Sequence, residues 1–373
     1  MRTLRPRTYV GWVVVPALSI LLALLVASVL IIISGLIGPE KKIDLLLPLV
    51  AYRSLLVGSF GNFKGISNMI VAAAPLMLTG LAVGVGLKAG LFNIGATGQV
   101  LLGGFTAALV GRLLADTPPY IAIPLALLAG VLAGALAGFI PGFLKAFTGA
   151  HEVVTTIMLN AIIQLLVSGL VNDVFRAPGF SFARTAPVGH AILKGAGNTT
   201  LHIGVIFAII CIPFSYWLLW RTTLGFEIRA VGANPTAALY AGMKPRRMMM
   251  LTMALCGAFA GLAGAIEILR LGYYPAVFGT SIGFDGITVA LLGQANPIGI
   301  MLSAFLLGAM RAGAPLMQIQ ARVPVEIIDV IQGVILIFLA AEVVVRRIFR
   351  LRSAAGAGEL QTITRTYGEK VVG

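Results

Sequence analysis

Asn93 and Gln99 stand on either side of Gly95 in the run Lys88-Ala-Gly-Leu-Phe-Asn-Ile-Gly-Ala-Thr-Gly-Gln-Val, which ends at Val100. Gly90, Gly95 and Gly98 crowd the same run, between two apolar stretches. Glycine permits a break in a helix and close approach of backbone. Amide side chains donate and accept hydrogen bonds, which suits contact with a hydroxylated solute. The same residues would equally serve a tight turn between spans, with amides capping the helix ends. Residue type alone leaves both readings open.

Carboxylates in apolar surroundings are the next candidates. In Gly283-Phe-Asp-Gly-Ile-Thr-Val-Ala-Leu-Leu-Gly-Gln-Ala-Asn-Pro-Ile-Gly, ending at Gly299, Asp285 opens a short apolar element and Gln294 and Asn296 close it. An Asp at a helix N-terminus is stabilised by the helix dipole, so capping is its plainest role. Glu267 lies late in an otherwise uncharged run, three residues before Arg270. A carboxylate near mid-membrane costs about 2.5–3.5 kcal/mol, so Glu267 should face a partner or a wet cavity. The alternative is an interfacial pair with Arg270 at i+3. Glu152, after His151, reads as a negative charge complementing the start of a helix.

The polar stretch 221–247 contains Phe226-Glu-Ile-Arg-Ala-Val-Gly-Ala-Asn-Pro-Thr-Ala-Ala-Leu-Tyr-Ala-Gly. Asn234 can cap a helix with Pro235 at its first position, and Gly242 can end it. A short alanine-rich helix over 236–241, flanked by charge, has the form of a docking knob for a partner; the alternative is a solvated connector. Arg229 could meet a partner's carboxylate or pair with Glu227.

Other chemistry is not supported. His151, His190 and His202 are far apart and not in a metal-ligand spacing. The sequence contains neither a G-x-S-x-G nucleophile elbow nor a G-x-x-x-x-G-K-[ST] phosphate loop. Cys211 and Cys256 lie inside apolar runs and read as inert core thiols.

The elements that must position these residues follow from composition. Of 373 residues, 59% are hydrophobic and 11% charged, and Gly is present 45 times. A soluble domain carries roughly 25% charged residues. Charge-free runs of about 20 residues suffice to cross a hydrocarbon core as helices. They do not alternate as barrel strands would. The sequence therefore predicts an all-α polytopic membrane protein of about ten helical segments. These lie near 10–37, 69–87, 98–114, 121–141, 153–171, 203–220, 248–269, 284–293, 298–312 and 325–345. The eighth is too short to span, which implies a broken or re-entrant element of the kind that lines a transporter cavity. The first is too long for a signal peptide and reads as an uncleaved span.

The net charge of +14 is dispersed in short clusters between apolar runs, which argues for topology rather than nucleic-acid binding. The densest clusters, at Arg2, Arg5 and Arg7, in 221–247, and at 346–352, fall on one side if the spans alternate, giving an N-in, C-in orientation. Segments 38–68 and 172–202 are then long outer loops. Residues 1–352 form the transmembrane domain, and 353–373 a flexible cytoplasmic tail.

Four motifs carry a family resemblance. They are the 88–99 run, His151-Glu-Val-Val-Thr-Thr-Ile-Met-Leu-Asn160, Phe226-Glu-Ile-Arg-Ala-Val-Gly232 and Gly283-Phe-Asp-Gly-Ile-Thr-Val-Ala-Leu-Leu-Gly293. In that order, over about 10–345, the chain resembles bacterial ABC-importer permeases of the nucleoside and simple-sugar group, relatives of ribose-type and branched-chain amino-acid permeases. It looks like the longer of two partner permeases. The resemblance implies a second permease subunit, ABC ATPase subunits that bind ATP and Mg, an extracytoplasmic substrate-binding lipoprotein, and a place in the bacterial inner membrane. It implies no cofactor in this chain. The solute would be a purine nucleoside, with a simple sugar as the alternative; an ion-coupled secondary transporter using Glu267 or Asp285 is a further class. One departure is Thr97, where many relatives carry Glu. Candidates for the translocation path are Asn93, Thr97, Gln99, Asn160, Glu267, Asp285 and Gln294. For an ATPase-coupling loop they are Glu227, Arg229, Gly232, Asn234, Ala237, Ala238 and Gly242.

Overall fold

A chain surrounded by hydrocarbon must satisfy its own peptide groups, and each apolar run answers by forming a helix. The computed structural model describes residues 14–37, 44–197, 199–279 and 281–340. Arg2, Arg5 and Arg7, the 346–352 cluster and the tail 353–373 lie outside the described residues. The helices are α1 (Val15–Ile37), α2 (Leu47–Phe60), α3 (Phe63–Lys88), α4 (Ala96–Leu113) and α5 (Pro119–Thr148). Next come α6 (Glu152–Gly169), α7 (Ile203–Arg221), α8 (Thr223–Ala233) and α9 (Pro235–Tyr240). The last are α10 (Pro245–Leu271), α11 (Ser281–Leu292), α12 (Pro297–Ala321) and α13 (Ile327–Ala340). Among the described residues, 7 helices are long and apolar enough to cross a membrane. The chain divides into two units, one of Met1–Pro48 with Asp329–Gly373 and one of Leu49–Ile328. The first contributes α1 and most of α13; the second contains every candidate site residue.

Within the second unit α10 is the central helix, packed on α5, α4 and α3, while α11 and α12 lie on α3. The approach is close because glycines meet. A Cβ on Gly134 of α5 would lie 2.6 Å from the Gly261 Cα of α10. Small residues let membrane helices gain van der Waals contact and backbone proximity where lipid supplies no hydrophobic drive. A single bridge between Arg184 and Pro275 ties the 172–202 segment to the turn after α10.

Several features differ from the sequence expectation, among them α12, which runs through Pro315 to Ala321 instead of ending near 312. Segment 38–68, read as a long outer loop, holds α2 and the start of α3. Asn62 caps α3, its side chain accepting from the Gly65 amide at 2.6 Å. The stretch 221–233, read as polar chain leading to a short helix, itself forms the helix α8 from Thr223. Helix α5 continues through Pro141 to Thr148, ending where Gly149 takes φ 70°. Helix α11 begins at Ser281, a turn before the expected start. Its 12 residues reach about 18 Å, too short to span, as expected.

Candidate functional site

The glycine-rich run is a break between α3 and α4. Helix α3 ends at Lys88, and Gly90, at φ 69°, reverses the chain. The Leu91 amide then donates back to the Gly86 carbonyl at 2.9 Å, so the break folds along the last turn of α3. Asn93 Nδ2 donates to Gln99 Oε1 at 3.0 Å, and Gln99 Nε2 donates to Asn93 Oδ1 at 3.2 Å. The Gly95 amide also donates to Asn93 Oδ1, at 3.1 Å. Asn160 reaches in from α6: its Oδ1 accepts from the Gly98 amide at 2.8 Å, and its Nδ2 donates to the Ile94 carbonyl at 2.9 Å. All three amides are buried. An orphaned amide in such a place would cost about 1–3 kcal/mol, and mutual pairing removes that penalty. Thr97 is buried beside them, under Gly283 of α11, where a Cβ on the glycine would have no room. The structure thus brings Asn93, Thr97, Gln99 and Asn160 into one centre and lays α11 against it.

Asp285 does not cap α11. It sits in the second turn and forms an ion pair with Arg311 of α12, whose Nη2 also lies 3.3 Å from Ser281 Oγ. The sequence reading put Arg311 at the end of the 298–312 segment and did not pair it with Asp285. An ionised group within an apolar bundle needs an opposite charge, and that requirement is the signal that could have found it. Gln294 takes φ 51° and Ala295 φ 50°, forming the tight turn from α11 into α12. Asn296 then caps α12, accepting from the Ile298 amide at 3.0 Å. Glu267 pairs with Arg270 one turn on, as the simpler alternative held, with Arg270 Nε 3.2 Å from Oε2. Glu152, at the start of α6, also pairs with Lys145 of α5 at 2.8 Å, a partner not foreseen.

His202, just ahead of α7, is a group the sequence reading passed over. It is buried, and neither ring nitrogen has a hydrogen-bond partner. Burial and the Arg270 charge lower its pKa to about 4, against an opposing pull from Glu267.

The 221–247 stretch is two capped helices. Thr222 Oγ1 accepts from the Gly225 amide at 3.1 Å to start α8, and Asn234 Oδ1 accepts from the Ala237 amide at 3.0 Å to start α9. Gly242, at φ 83°, ends the motif as expected. Two expectations are corrected. Ala238 is buried, so it does not lie on the outer face of the short helix; the exposed large hydrophobic residues of the stretch are Phe226 (57%), Leu239 (58%) and Tyr240 (88%). Arg229 turns back onto α7 instead of pairing with Glu227, its Nε donating to the Leu219 carbonyl at 3.0 Å with the guanidinium 5.8 Å from the Trp220 ring. Ala237 is exposed, and Glu227 and Gly232 are partly so. Among the described residues no group of three His, Cys, Asp or Glu side chains could hold a metal.

A family model for the permease component of branched-chain amino acid transport systems matches residues 65–340. The guanosine ABC transporter permease protein NupP of Bacillus subtilis is 38% identical over 350 residues, covering 92% of this chain and 97% of NupP. The nucleoside ABC transporter permease protein NupB of Lactococcus lactis is 34% identical over 373 residues, 96% of this chain and 98% of NupB. A glucose ABC transporter permease protein of Haloferax volcanii is 32% identical over 351 residues, 89% of each chain. No solved structure matches at a significant level.

Proposed function

We propose that this chain, which belongs to the permease family of branched-chain amino acid transport systems and is a multi-pass permease subunit of an ABC importer, carries purine nucleosides across the bacterial cell membrane. The observation that carries the nucleoside reading is near full-length similarity to two nucleoside permeases. ATP and Mg bind a separate ATPase, because the chain has no phosphate loop of its own. A second permease completes the pathway, and an extracytoplasmic binding lipoprotein delivers the solute.

Helices α8 and α9 form the ATPase-docking element on the cytoplasmic side. Phe226, Leu239 and Tyr240 are exposed apolar side chains of these helices, and Arg221, Lys244, Arg246 and Arg247, exposed just before and after them in the chain, add positive charge. That surface suits an apolar groove with an acidic rim. Exposed apolar groups ringed by charge are a mark of protein interfaces.

The test is uptake by proteoliposomes holding this chain with its partner permease, ATPase and binding lipoprotein. ATP-dependent guanosine uptake, competed by other purine nucleosides and not by glucose, is the expected result. Glucose uptake alone would transfer the chain to the sugar reading, which the 32% identity to a glucose permease favours as second choice. Uptake that ignores ATP and collapses with the proton gradient would refute both.

A further inference from the structure

Gly232 lies near the end of α8 and faces the end of α3. A Cβ there would come within 2.7 Å of the Ala89 carbonyl carbon and 2.8 Å of its Cα, with the Lys88 carbonyl oxygen nearer still. These are backbone atoms, so no change of rotamer relieves the approach. Ala89 is the C-cap of α3, and its amide donates to the Gly86 carbonyl at 2.9 Å. The Leu91 amide returns to the same carbonyl. Asn93 follows in the same break and closes on Gln99. Helix α8 is itself held firmly, with Ile228 and Val231 buried and Gly225 lying against the Leu218–Leu219 backbone of α7. One short, well-anchored helix therefore carries exposed Phe226 near its start and, near its end, meets the peptide at the close of α3.

We infer that Gly232 is a positioning residue for transport: through it, movement of α8 and α9 is delivered to Lys88–Ala89 and parts the Asn93–Gln99 pair. The inference rests on the reading of α8 and α9 as the ATPase-docking element. Once parted, each amide needs a new partner, and a hydroxylated solute supplies donors and acceptors. Direct backbone contact suits this task because nothing compliant lies between the two segments. Coupling between distant sites needs an element with two discrete arrangements, and the paired amides provide one with a defined closed state.

The test uses the assembled transporter in proteoliposomes. Gly232→Ala favours the helix by its own propensity, so its cost falls on the contact with α3. In complexes that retain the ATPase, solute moved per ATP hydrolysed should fall by about tenfold, within the usual range of coupling between sites. An unchanged ratio would overturn the inference. A second measurement uses Thr97→Cys in a chain with Cys211→Ala and Cys256→Ala. A small membrane-permeant thiol reagent should label this buried position faster with ATP bound than without nucleotide, and Gly232→Ala should abolish the difference. Equal labelling in the two states, or a difference that survives in Gly232→Ala, overturns the inference. If Gly232→Ala does not assemble, the comparison of the two nucleotide states decides alone. Tyr240→Ala and Phe226→Ala separate the underlying reading: if both retain the ATPase, the docking element lies elsewhere, whereas their loss alongside normal coupling in Gly232→Ala refutes only the role of Gly232.

Discussion

Asn160 accepts from the Gly98 amide at 2.8 Å while donating to the Ile94 carbonyl at 2.9 Å, so a single side chain on α6 ties the end of the break between α3 and α4 to the first turn of α4. A break in a membrane helix exposes peptide groups that no water reaches, and a neighbouring helix must answer them. The break is therefore a built feature with its own partner, and the Asn93–Gln99 pair completes it.

The first expected outcome concerns that pair. Replacing Gln99 with Leu leaves a buried Asn93 amide partly unanswered, which should destabilise the complex by about 1–3 kcal/mol. The double replacement Asn93→Leu with Gln99→Leu should cost less than the sum of the two single changes, because the orphan is removed with its partner. Thermal melts of the purified complex give the three values. Uptake should fall in every variant, including the double. Strict additivity would mean that the two amides do not depend on one another.

Asp285 and Arg311 invite the same reasoning with larger numbers. Asp285→Ala strands a guanidinium among apolar helices, and breaking a largely buried pair in this way costs about 3–5 kcal/mol. Arg311→Met in addition should recover most of the loss, since an apolar pair of similar volume is tolerated. Yield of folded protein by size-exclusion chromatography, with the melting midpoint, checks both. Failure of the second change to rescue would mean that Arg311 has a role of its own.

Docking should be sensitive to exposed residues and insensitive to basic side chains already engaged. Tyr240→Ala should reduce co-purification of the ATPase at least several-fold, as loss of an aromatic anchor does at interfaces. Arg229→Lys should retain the ATPase, because Arg229 is turned onto α7. Ala238→Trp should unfold the α8–α9 motif itself, seen as new protease cleavage within 221–247, since that position is buried.

The membrane runs are legible in the sequence because charge-free length is sufficient to define them. Helix α2 is not, since Arg53, Ser54 and Ser59 interrupt it. Its serines are answered across the bundle, Ser54 Oγ by Gln320 Oε1 at 2.8 Å and Ser59 Oγ by the Ala309 carbonyl, and no local pattern shows that. The amide centre was half legible. Residue types marked Asn93 and Gln99 as a pair with hydrogen bonds to make, but only the fold reveals that they make them to each other. Ala238 illustrates the reverse case: the caps at Asn234 and Gly242 set the helix correctly, yet six residues carry too little periodicity to say which face is covered.

His202 supplies a pH dependence whose sign can be worked out. Unfolded, its imidazole titrates at the ordinary 6.5; folded, burial and Arg270 lower that to about 4, with Glu267 acting in the opposite direction. Between those values the unfolded chain binds more protons than the folded one, so stability rises with pH across that window. The contribution is full above the unfolded value and is lost as pH falls from about 6.5 toward about 4. The comparison is with His202→Leu, which keeps an apolar body and removes the titration. Melting midpoints of wild type in nanodiscs should drop from pH 7 to about pH 5 more steeply than those of His202→Leu, with the two curves converging in slope above pH 7. Parallel curves throughout would mean that the imidazole finds a proton acceptor or water in the folded protein and is not held neutral.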